Sequence, residues 1–205
     1  MKFEHNFASI DIETGGLSSE KNPVTEIAII IIDNDLNEIG EYSQIIIPYG
    51  NFEIQQQALD CSNMTLDLLN TGKDGSIVVK ECCDFLFKHK IGKNMPVFVG
   101  HNSDKFDIPF IANFFDFFKT DLTKYINPDF TIDTMWWSRL RWKESSNYKL
   151  GTCCQNAGVE LSQAHRALND ARATSELFKY FMRSLRSDSS VVENQTKKFR
   201  TAFQF

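Results

Sequence analysis

The sequence has no uninterrupted apolar run of about eighteen residues, so no segment is long enough to cross a bilayer as a helix. The start, Met1-Lys2-Phe3-Glu4-His5, lacks the apolar stretch of a secretory signal. A cytoplasmic protein with no membrane partner is therefore expected. Cysteine is scarce and unpatterned. Cys61, Cys82, Cys83, Cys153 and Cys154 are odd in number and contain no Cys-x-x-Cys pair. That excludes a disulfide scaffold and a zinc knuckle, and leaves reduced core thiols as the expectation. Basic charge is also short: 22 Lys and Arg stand against 27 Asp and Glu, a net charge of −5. Bulk electrostatics would not draw such a chain to a polyanion. No internal repeat and no low-complexity segment is present.

What remains is a globular composition, 42% apolar and 24% charged, over 205 residues. This suits one α/β domain at residues 1–185 followed by a tail at 186–205, either loose or used for docking. Phe7 to Thr14 reads as a buried strand that ends in the Gly15-Gly16 turn. Thr25 to Ile32 is β-branched and nearly all apolar, as in a central strand. Asp33-Asn34-Asp35 makes a turn, and a third strand spans about Tyr42 to Ile47, stopped by Pro48. Short links between these three strands favour an antiparallel arrangement. Residues 54–71 read as short helices, and 75–90 as an amphipathic helix burying Ile77, Val78, Cys82, Phe85 and Leu86. Pro96 to Gly100 and Phe130 to Thr134 are further short strands. The helix carrying Phe110, Phe114, Phe115, Phe117 and Phe118 is read as core packing rather than base stacking. Leu150 to Gly158 is a helix with Gly158 as its C-cap, and the last helix ends near Leu185. Arg139, Arg141, Lys143 and Lys149 form the local basic cluster, either a solvated face or a phosphate contact.

The chemistry concentrates in acids. Side chains alternate along a strand, so Asp11 and Glu13 point the same way, opposite to Ile10 and Ile12. Two carboxylates on one face of a buried strand repel each other and lose hydration. A divalent cation would relieve both penalties. Five positions separate His165 from Asp170. At about 100° per residue the two would diverge by about 140° within one helix, so a shared site requires His165 in the loop before it. Ala167, Ala171 and Ala173 let that helix pack close to the sheet. Asp107, at a strand-to-helix junction, is a candidate fourth acid. His101 is read as fixing its loop, and His5 and His89 as surface residues.

Asp11-Ile12-Glu13-Thr14, His101-Asn102 with Phe106-Asp107, and His165 with Asp170 resemble the three motifs of the DEDDh 3′→5′ exonucleases. These belong to the ribonuclease H-like superfamily, with proofreading polymerase subunits, ribonuclease T and oligoribonuclease among them. The resemblance spans about residues 6–182, and Ile132-Asp133-Thr134 and Lys149-Leu150 fit it too. It implies a mixed central sheet, antiparallel in its first three strands and then parallel, flanked by helices. It implies that Asp11, Glu13, Asp107 and Asp170 hold two divalent ions, Mg²⁺ or Mn²⁺, with His165 as general base. Thr14, Gly15, Asn102 and Phe106 would line the substrate, glycine allowing close backbone approach. The implied reaction releases 5′-mononucleotides from a 3′ end. Single-stranded or mismatched DNA is the expected substrate, with a polymerase or replication partner possible. Short RNA is the alternative, since contacts to the 2′-hydroxyl decide the choice. A silent polymerase-docking module would be expected to have lost one of these groups, and none is missing. One departure is that three residues, not two, separate Asn102 from Phe106-Asp107, which leaves Asp104 as a rival ligand. Asp104 is read instead as a helix N-cap, and Asp133 as structural. Richness in Ile, Asn, Lys and Phe points to an AT-rich bacterial or viral genome.

Overall fold

The computed structural model describes residues 4–126, 130–161 and 165–203, the stretch from 188 onward as backbone only. Five strands form one sheet: β1 (Phe7–Thr14), β2 (Val24–Ile32), β3 (Glu38–Ile45), β4 (Val97–Gly100) and β5 (Thr131–Asp133). Their order is β3-β2-β1-β4-β5. β1 and β3 flank β2 in antiparallel register, whereas β4 and β5 run parallel to β1. The antiparallel half is the arrangement expected from short links, and the parallel half is the one that the family resemblance implied. All nine residues of β2 are buried. Each such isoleucine contributes about 1.5–3 kcal/mol of burial, so β2 anchors both faces of the sheet.

The helices are α1 (Gln56–Ser62), α2 (Leu66–Leu69), α3 (Gly75–Lys88), α4 (Asp107–Phe117), α5 (Thr134–Arg141), α6 (Leu150–Ala157) and α7 (Ala167–Phe203). One face of the sheet, carrying Ala8, Ile10, Ile12, Ile27 and Ile29, packs on α3 and α4 through Val78, Cys82, Leu86, Phe110 and Phe114. The other, carrying Phe7, Ala28, Ile30, Val97 and Val99, packs on α7 through Ala167, Ala171 and Phe178. Alanines at this contact bring the α7 backbone close enough for the buried Ser9 hydroxyl to donate to the Ala171 carbonyl at 2.8 Å. No helix among the described residues is long and apolar enough to cross a membrane.

Several local expectations change. β3 begins at Glu38 rather than near Tyr42, because an edge strand paired on one side accepts Glu38 and Glu41 facing solvent. Ile77 is 50% exposed, and α3 instead buries Val79 and Cys83. Phe117 is also exposed, while Phe110, Phe114 and Phe115 are core. α7 does not stop near Leu185 but runs on to Phe203, its side chains from 188 lying outside the described residues. His5 and His89 are half-buried, bonding to the Met95 and Phe85 carbonyls. Four of the five cysteines are buried free thiols, and Cys61 is exposed. Gly158 takes the left-handed C-cap conformation at φ 70°.

Candidate active site

β1 delivers Asp11 and Glu13 to the sheet face that α7 covers, and α7 delivers Asp170 from its first turn. One carboxylate oxygen from each of the three lies within 4.8 Å of the others. Asp107 opens α4 and is 6% exposed. It stands outside that close trio, yet among the neighbouring charges it acts most strongly on Asp11. Asp11 thus belongs to the trio and also feels Asp107.

The electrostatics are those of a site built for positive charge. Burial, then Asp107, Asp170 and Glu13, hold the Asp11 carboxyl well above the usual range. Glu13 is pushed up to about 8 by burial, then by Asp170 and Glu26, with Arg166 opposing. Asp107 rises to about 7 through burial, although its own amide and that of Ile12 favour the anion. Asp170 is raised chiefly by burial and eased by the His165 amide. Asp170 Oδ1 is buried with no hydrogen-bond partner. An orphaned buried oxygen and four mutually repelling acids are costly in an apolar fold. They fit a hard divalent cation, which prefers oxygen donors.

His165 lies before α7, as the helical geometry required. Its backbone is left-handed, φ 68°, and its N–H donates to Asp170 Oδ2 at 3.0 Å. His165 itself is exposed. His101 bridges Thr134 Oγ1 and the Tyr148 carbonyl, each at 2.9 Å, and so ties β4 to α5 and to the segment before α6. Asp133 caps α5, accepting from the Met135 and Asn102 amides at 2.9 Å. Asp104 is not an N-cap: the α4 cap position is Phe106, and the exposed Asp104 accepts from the Thr131 hydroxyl at 2.9 Å. The extra residue in this motif therefore sends Asp104 toward β5 and Asp107 toward Asp11.

The expected substrate-lining residues have these local settings. Thr14 Oγ1 donates to the Gly16 carbonyl at 2.7 Å. Gly15 is buried, and a Cβ there would meet Pro23 at 2.7 Å, so its small size already serves a contact within the protein. Asn102 is exposed at φ 64°, and half-buried Phe106 packs on Phe110 with ring centroids 5.0 Å apart. In the basic cluster, Arg139 lies over the rings of Trp136 and Tyr148, 5.2 Å from each centroid. Sequence reasoning missed Leu17, 85% exposed just past the glycine turn, and the ion pair of Glu26 with Arg166. A lone acid within the apolar β2 run was the signal for Glu26.

The model describing exonucleases matches residues 9–178. The chain is 30% identical over 177 residues to the PolC-type DNA polymerase III of Oceanobacillus iheyensis, covering 85% of this chain and 11% of that protein. With the PolC-type DNA polymerase III of Bacillus cereus it shares 30% identity over 179 residues, again covering 85% and 11%. The chain thus spans about 11% of the length of these relatives. Escherichia coli exonuclease I in complex with a dT13 oligonucleotide superposes with a TM-score of 0.72 at 21% identity, over 85% of this chain and 40% of that one. The zinc-bound form of the E. coli exonuclease I–single-stranded DNA complex gives 0.73 at 21% identity, over 87% and 40%. The structural likeness carries the ribonuclease H-like fold, and the family model covers both the first and the last acid-bearing motif. The chain belongs to the exonuclease family, in its DEDDh-type, ribonuclease H-like form.

Proposed function

We propose that this chain is a metal-dependent 3′→5′ exonuclease that removes 5′-mononucleotides from the 3′ end of single-stranded or mismatched DNA. The observation that carries the reading is the trio of Asp11, Glu13 and Asp170 within 4.8 Å, with Asp107 acting on Asp11 and His165 bonded to Asp170. Asp11, Glu13, Asp107 and Asp170 would hold two divalent ions, Mg²⁺ or Mn²⁺. Cations bound there supply activation of the attacking water and charge stabilisation at the leaving 3′ oxygen.

This chain's own residues do the rest. His165 takes the proton from the water as general base. Asp170 ties the His165 amide and so links the base to the acid cluster. Thr14 and Gly15, Asn102 and Phe106 border the terminal nucleotide. DNA is favoured over RNA because the relatives are DNA polymerases and the superposing exonuclease I structures hold DNA oligonucleotides. The same relatives support a polymerase context, with residues 186–205 as a candidate tether.

The test uses matched single strands of DNA and RNA, each labelled at the 3′ end, with Mn²⁺ and then with EDTA. Label leaving DNA as a mononucleotide, with EDTA stopping it, is the expected result. Faster loss from RNA would transfer the assignment to RNA trimming. No loss from either strand would leave the docking module as the reading.

A further inference from the structure

We propose that Glu26 and Arg166 form a positioning clamp that aims His165 at the acid cluster. The inference rests on the general-base reading of His165. Glu26 is directly opposite Glu13 across the β1–β2 pair and is 2% exposed. A buried carboxylate is costly unless charged or polar donors surround it. Among the described residues, the three donors that reach Glu26 come from the two residues after His165. Arg166 grips both oxygens, Nε to Oε2 at 3.1 Å and Nη2 to Oε1 at 2.9 Å. The Ala167 amide donates to Oε2 at 3.2 Å, so Glu26 also serves the first turn of α7.

The turn is thereby fastened at three consecutive residues: His165 by its amide to Asp170, Arg166 by its side chain and Ala167 by its amide to Glu26. This matters because His165 is exposed and its backbone is left-handed, a conformation that a non-glycine residue keeps only when the surroundings enforce it. The rigid element behind that enforcement is β2, the most deeply buried strand, reached through a two-pronged guanidinium–carboxylate pair. Glu26 and Arg166 therefore set where the base sits, without touching the reacting atoms.

A merely stabilising ion pair would affect folding and nothing else, so the test reads kinetics. Steady-state hydrolysis of a single-stranded DNA oligonucleotide with Mn²⁺ is compared for wild type, Arg166→Ala, Arg166→Lys, His165→Ala and the double variant His165→Ala/Arg166→Ala. Misplacing a reacting group by about 1 Å costs up to about 100-fold, so Arg166→Ala is expected to lower kcat by about 10- to 100-fold. With Mn²⁺ saturating for every variant, KM should stay close to wild type, and added guanidinium should recover part of kcat in Arg166→Ala. Lysine, which cannot grip both oxygens, should give an intermediate rate. In the double variant the loss should equal that of His165→Ala alone, because a clamp has no effect once its base is gone. If Arg166→Ala fails to fold around an unpaired Glu26, Arg166→Ala/Glu26→Gln removes the orphan charge and takes its place in the same comparison. A wild-type kcat, a loss confined to KM or metal affinity, or losses that multiply in the double variant would overturn the clamp. Full activity in His165→Ala would instead overturn the general-base reading on which it rests.

Discussion

Glu13→Gln should stabilise the metal-free protein while destroying its activity. In the folded chain the Glu13 carboxyl is pushed from its ordinary 4.5 to about 8, chiefly by burial and then by Asp170 and Glu26. A folded pKa raised above the unfolded one means that the folded state binds more protons between the two values. Stability is then full below about pH 4.5 and falls as pH rises toward 8. At pH 7 the lost amount, 2.5 pH units above 4.5 at 1.36 kcal/mol each, is about 3 kcal/mol. Neighbouring acids share the proton, so removing this one charge should recover about 1–3 kcal/mol. For a chain of this size that raises Tm by roughly 2–10 °C. The assay is thermal unfolding of wild type and Glu13→Gln in EDTA at pH 4.5 and pH 7. The gain should appear at pH 7 and vanish at pH 4.5, where both residues are neutral. Saturating Mn²⁺ should reverse the order, since wild type gains more from binding the ion. A less stable Glu13→Gln at pH 7 without metal would refute the view that these acids repel one another in wait for a cation.

Asp107→Ala should remove most turnover, whereas Asp104→Ala, losing only a surface contact to Thr131, should keep it; steady-state rates on single-stranded DNA decide, and the reverse outcome would exchange the two roles. His165→Ala should slow turnover by about 10²–10⁴-fold while Mn²⁺ affinity, measured by calorimetry, holds; a collapse of affinity would make His165 a ligand instead. His101 is held neutral by burial, its pKa below the ordinary 6.5. The unfolded chain therefore binds the extra proton first, and the stabilising contribution of His101 is lost as pH falls below that value. The Tm advantage of wild type over His101→Gln should accordingly shrink between pH 7.5 and pH 5.5, and a constant gap would mean that the buried imidazole does not titrate in this way.

The parts of the site that obey a local rule were legible in the sequence. Strand alternation put Asp11 and Glu13 on one face, helical angles forced His165 out of α7, and the alanines of α7 announced close packing. The antiparallel pairing of the first three strands followed from their short links, whereas the parallel strands were implied by the family resemblance. What was lost depends on contacts distant in sequence. Glu26 and Arg166 are separated by 140 positions, so neither residue announces the other. Asp104 looked like a cap because it precedes a helix, but Thr131 on a neighbouring strand claims it. The α3 face drifted because Ile77 and Phe85 fit the apolar spacing as well as Val79 and Cys83, and only the packing partners choose between them. The extension of α7 past Leu185 was missed because residues 186–203 are largely polar, and polar helices carry no core-facing stripe to read.

The central claim is that one acid cluster performs stepwise hydrolysis from the 3′ end. Its most direct test is a time course on 5′-labelled single-stranded DNA with Mn²⁺, run in parallel for wild type and for Asp11→Ala purified identically. The account predicts a ladder that shortens by one nucleotide at a time with wild type and intact strand with Asp11→Ala. Equal ladders from both proteins, or internal cuts in place of a ladder, would contradict it.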